Sequence, residues 1–92
     1  MTASNQSIAT SEEVRRKASR YILEQLGNRL WAGEPGYDEQ RQRWTVSIHS
    51  RSLPEEAVLG EVLLDLQGVV IQAPSRGVVQ RAIEQQHKGM RM

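Results

Sequence analysis

Apolar positions recur along this chain first with a helical period and then with a period of two. Val14, Ala18, Ile22 and Leu26 fall on one i, i+4 ridge with Tyr21 beside them. That spacing predicts one face of an amphipathic helix. Thr10, followed three residues later by Glu13, supplies a capping box at its start. Glu12 with Arg16 and Glu13 with Lys17 are i, i+4 pairs in the favourable order, each worth ~0.3 kcal/mol. These charges are therefore accounted for as helix surface. Gly27-Asn28 is the stop signal.

The period of two begins further on. Leu30-Trp31-Ala32-Gly33 forms a short first strand if it pairs, and Glu34-Pro35-Gly36-Tyr37-Asp38 reads as the turn that breaks it. From Arg43 to Ser50 the alternation is clear: Trp44, Val46 and Ile48 point one way, Thr45, Ser47 and His49 the other. Residues 58–65 give the next strand, with Val58, Gly60, Val62 and Leu64 on one side and Leu59, Glu61, Leu63 and Asp65 on the other. Asp65-Leu66-Gln67-Gly68 is a tight hairpin turn leading into a partner strand over residues 69–73. Pro74 ends that strand, and Ser75 caps a last helix carrying Val78, Val79, Ala82 and Ile83. The expectation is an α+β fold: an N-terminal helix, a three- to four-stranded antiparallel meander, and a C-terminal helix, with the helices on one face. Residues 10–86 form the single domain, 1–9 a disordered leader and 87–92 a flexible basic tail.

The middle of the chain resembles the PepSY-like domain family. The likeness is carried by the helix, then Trp44-Thr45-Val46-Ser47-Ile48, then Gly60-Glu61-Val62-Leu63-Leu64-Asp65-Leu66-Gln67-Gly68-Val69-Val70, over roughly residues 14–72. The helix after Ser75 is a departure from that family's pattern. The resemblance implies a noncatalytic module that binds or inhibits a partner, sometimes a peptidase, and it transfers no catalytic residues.

Length and charge narrow the picture. Ninety-two residues fit one domain, and folding at that size buries roughly 60–65% of the unfolded surface, a thin core. There is no cysteine, so neither disulfides nor thiolate zinc sites contribute. Residues 1–7 lack the apolar stretch of a signal peptide, and no run approaches the ~20 apolar residues of a membrane span. The cytoplasm is the expected location. Net charge is +1, divided as +2 over residues 1–20, −4 over 21–73 and +3 over 74–92. So even a balance argues against a dedicated nucleic-acid binder.

Candidate chemistry is sparse. His49 lies near Thr45 and Ser47 on the wetter side of its strand, and His87 lies in the basic tail. A Ser-His-carboxylate arrangement is conceivable there, but no nucleophile elbow or oxyanion hole accompanies it. Glu34, Asp38 and Glu39, and Glu55 and Glu56, cluster in two loops without the spacing of a calcium site. Gly33-Glu34-Pro35-Gly36 is no phosphate cradle, because Pro35 removes an amide donor and no lysine follows. No catalytic, metal or cofactor-binding residue is assigned, and no cofactor is expected. Trp44 is in phase with the core, whereas Trp31 either joins the core or shows a flat apolar surface to a partner. Leu59, Leu63 and Val70, with Trp31, make the expected partner interface on the open sheet face, in a homo-oligomer or against another protein. The alternative is nucleic-acid binding through Arg15, Arg16, Lys17 and Arg20, aided by Arg76, Arg81, Lys88 and Arg91.

Overall fold

Thr10 opens the first helix as its residue type requires. Glu13 N–H donates to Thr10 Oγ1 at 3.1 Å, and Thr10 N–H donates back to Glu13 Oε1 at 2.9 Å. This closes the capping box at the head of α1 (Ser11–Tyr21). The Thr10 N–H, more than any other group, holds the Glu13 carboxyl below the usual carboxylate range. A depressed folded-state value contributes stability that is present above the unfolded carboxylate range and lost as pH falls through the folded one. Thr10→Ala is expected to lower stability by about 1 kcal/mol, read from the urea midpoint at neutral pH.

The computed structural model describes residues 9–89, with side chains as far as residue 86. All but the last residue of the expected leader, and the side chains of the expected tail with His87, Lys88 and Arg91, lie outside that range. After α1 the helix widens into one π turn, Ile22–Leu26, where the sequence predicts regular helix. Gly27 N–H closes it on the carbonyl of Ile22 at 2.9 Å, and Ile22 and Leu26 both remain buried. Four strands follow: β1 (Leu30–Asp38), β2 (Arg43–Ser50), β3 (Gly60–Leu64) and β4 (Val70–Gln72). They pair antiparallel in sequence order as a meander. α2 (Arg76–Gly89) completes the α+β fold. No helix among the described residues is long and apolar enough to cross a membrane.

The core lies between α1 and one face of the sheet. The helical ridge of Val14, Ala18, Ile22 and Leu26 meets Leu30, Ala32, Val46, Ile48, Val62 and Leu64 from the strands. Among the described side chains of α2 Val79 is the buried one, and the helix packs against the π turn. Trp44 packs on the same core, its ring 5.1 Å from Tyr37.

The strands depart from the expected pattern wherever a bulge intervenes. β1 does not stop at Gly33 but runs through Pro35 and Gly36 to Asp38. Ala32 pairs with Ile48 and Pro35 with Val46, so Gly33 and Glu34 together oppose Ser47. Proline is tolerated there because β1 is an edge strand. Leu59 N–H donates to the carbonyl of Ile48, the residue with which Gly60 is also paired. Two consecutive residues thus address one on β2, and alternation fails at that point. Leu59 accordingly lies in the core at 6% exposure, while Val58 is exposed. In β4, Leu63 pairs with Gln72 but its neighbour Leu64 pairs with Val70, leaving Ile71 as an extra residue. Val70 therefore turns to the helix side and packs against the core.

Candidate functional site

The face of the sheet opposite α1 carries Trp31 from β1, Thr45, Ser47 and His49 from β2, Glu61 and Leu63 from β3, and Gln72 from β4, because directly paired antiparallel residues share a side. The bulge in β1 brings Gly33 against Ser47 and His49. A Cβ built on Gly33 overlaps Ser47 Oγ and comes within 2.7 Å of His49 Nε2. A side chain at this position would require Ser47 and His49, or the bulge itself, to shift.

His49 is the most constrained polar group of this face. Its ring stacks on Trp31 with centroids 4.3 Å apart and planes inclined by 18°, and it is 7% exposed. Nδ1 lies 3.1 Å from the carbonyl oxygen of Ala57, and Nε2 lies 2.7 Å from Ser47 Oγ. A carbonyl only accepts, so Nδ1 carries the hydrogen toward Ala57, and in the neutral ring Nε2 accepts from the Ser47 hydroxyl. The pair has the polarity of a nucleophile and its base, but a backbone carbonyl stands where a carboxylate would orient the ring. Through Nδ1 the ring ties the loop between β2 and β3 to the sheet. The spacing of Ser47 and His49 is legible in the sequence; the bulge that seats Gly33 over them is not.

Of the four expected interface residues, the open face holds two. Leu63 is half-buried beside Gln72, and Trp31 is half-buried against His49 at the far edge. Leu59 and Val70 are corrected to the core side for the reasons of pairing given above. The apolar surface that remains exposed near Leu63 belongs to the β4 edge, where Val69 is 54% and Ile71 52% exposed. The hairpin before it is fixed by Asp65, whose Oδ1 accepts from the N–H groups of Gln67 and Val69 at 2.9 Å each. Gly68 takes φ +85°, a conformation that favours glycine.

The basic residues lie elsewhere. Arg15, Arg16, Lys17 and Arg20 are all exposed on α1, and Arg15 Nη1 sits 3.4 Å from Glu34 Oε2 on the β1 bulge. Arg76 and Arg81 are exposed on α2. Among the described residues no three histidine or carboxylate side chains stand together as a metal site.

No family model matches this chain, and no match was found among curated proteins or solved structures. The likeness to PepSY-like domains therefore rests on the residue pattern alone.

Proposed function

We propose that this domain is a noncatalytic assembly module that pairs with a second copy of itself through the outer edge of β4. The observation that carries the reading is the contrast between the two edges of the sheet. β1 is blunted by Pro35, by a bulge, and by the charged Glu34 with Arg15 beside it, the usual devices against strand addition. β4 is irregular at Ile71, where its pairing with β3 shifts, but it carries neither a proline nor a charged side chain along its length. Residues 66–75 contain no charged side chain, and Val69 and Ile71 stand in solvent. Among the described residues no strand pairs with that outer edge.

A second copy is the occupant best suited to it. Two identical uncharged edges meet across a two-fold axis without like-charge repulsion, and two-fold dimers are the commonest homo-oligomers. Antiparallel pairing of β4 with its counterpart would continue the sheet from four strands to eight. It would also bring the apolar edges of both copies out of water. Because β4 is only three residues long, the dimer is expected to be concentration-dependent.

The test is solution mass by light scattering after size exclusion, over a wide range of concentrations. The wild-type chain is expected to pass from monomer to dimer, and Ile71→Lys to remain monomeric with unchanged helix content, since Ile71 is exposed. A wild-type monomer throughout would overturn the reading. So would a dimer that survives Ile71→Lys but is lost in Leu63→Glu, which would place the interface on the open face instead.

A further inference from the structure

A second feature, independent of the sheet edge, lies at the other end of the domain. Between the segment that follows the π turn and the first turns of α2 is a cavity of about 420 Å³. That is within the range of roughly 300–1,000 Å³ typical of small-molecule sites. Leu26, Val79 and Ile83 are its apolar lining residues, and Arg29, from the segment after the π turn, and Arg76, from the start of α2, are its basic ones. Asn28 adds an amide, and no acidic residue lines it among the described residues. Neither arginine has an ion-pair partner among the described residues.

We infer that this cavity binds a small organic anion, with its oxyanion head between Arg29 and Arg76 and its apolar body against Leu26, Val79 and Ile83. Two cations that line one cavity with no acidic residue among the described lining repel each other, and an oxyanion relieves that repulsion while matching the fork geometry of guanidinium. The positive end of α2 begins at Arg76 and adds to the same potential. The apolar wall sets the ligand apart from a bare inorganic ion, because it rewards burial of a hydrocarbon body. Such a ligand touches both the π turn and α2, so its binding also fastens α2 to the domain.

Phenyl phosphate, hexanoate and inorganic phosphate are suitable probes, titrated by calorimetry and followed by amide chemical shifts. The two organic anions are expected to bind at least tenfold more tightly than inorganic phosphate, with shifts centred on Leu26, Val79 and Ile83. Arg29→Gln combined with Arg76→Gln is expected to weaken them tenfold or more, while Arg81→Gln, outside the cavity, leaves them unchanged. Both changes are at exposed side chains and should keep the fold, as circular dichroism would verify. The inference is overturned if neither organic anion binds at millimolar concentration, or if inorganic phosphate binds as well as they do. An equal loss in Arg81→Gln would also overturn it, by showing general charge attraction.

Discussion

Leu64→Ala is expected to remove about 3–4 kcal/mol of stability. Leu64 is fully buried on β3, paired with Trp44 on one side and Val70 on the other, and it faces the α1 ridge. Truncation there forfeits the transfer energy of the side chain and leaves a cavity that strands held from both sides cannot close. A chain of this length has a total stability on the order of 5–14 kcal/mol, and its thin core argues for the lower part of that range. The variant should therefore be partly unfolded at physiological temperature. Urea unfolding followed by circular dichroism measures the loss. Leu23→Ala, at a site 59% exposed on the π turn, should stay within about 0.5 kcal/mol of wild type. A similar small change for Leu64→Ala would mean that the core is not packed as described.

Gly33→Ala should come next, at about 2–3 kcal/mol, combining overpacking with disturbance of a hydrogen bond. The added methyl occupies the space of Ser47 Oγ and crowds His49 Nε2. Either the bulge must move or the contact between Ser47 and His49 must open, and the ring's stacking on Trp31 moves with it. The melting temperature should fall by roughly 10–20 °C, with a change in the His49 ring resonances. Two controls separate this mechanism from a general glycine effect. Gly36→Ala, where a Cβ would meet only the Thr45 carbonyl at an ordinary 3.9 Å, should be nearly neutral. Adding Ser47→Ala to Gly33→Ala should recover part of the loss. No recovery would show that the bulge backbone, and not the Ser47 hydroxyl, sets the cost.

Both predictions concern the same sheet, yet they differ in how they are reached. The burial of Leu64 follows from alternation that the sequence displays openly, since Val62 and Leu64 remain in phase with Val46 and Ile48 across the register. The demand for glycine at position 33 does not. Gly33 followed by Glu34, Pro35 and Gly36 reads as a turn, because proline and glycine ordinarily end strands. Only the pairing with β2 shows that β1 continues and that Gly33 faces Ser47. The proposed edge has the same history: the uncharged run over residues 66–75 is visible in the chain, but that β4 ends the sheet is a matter of topology. The cavity beside α2 joins Arg29 to Arg76, residues far apart in sequence that no periodicity relates.

By itself, then, the sequence determined what depends on neighbours along the chain. It set the capping box of Thr10 and Glu13, the apolar ridge of α1, the Asp65 to Gly68 hairpin and the α+β order of elements. These rest on hydrogen bonds and side-chain spacings within a few residues, which a single chain carries in full. The tertiary structure decided which residues look outward. One inserted residue reverses the side of everything beyond it, because side chains in a strand alternate with a period of two. The pairing irregularities at Gly33, Leu59 and Ile71 do this three times. They draw Leu59 and Val70 into the core, leave Ile71 in solvent, and bury His49 beneath Trp31. Such an insertion arises from how two strands meet, and neither strand records it alone.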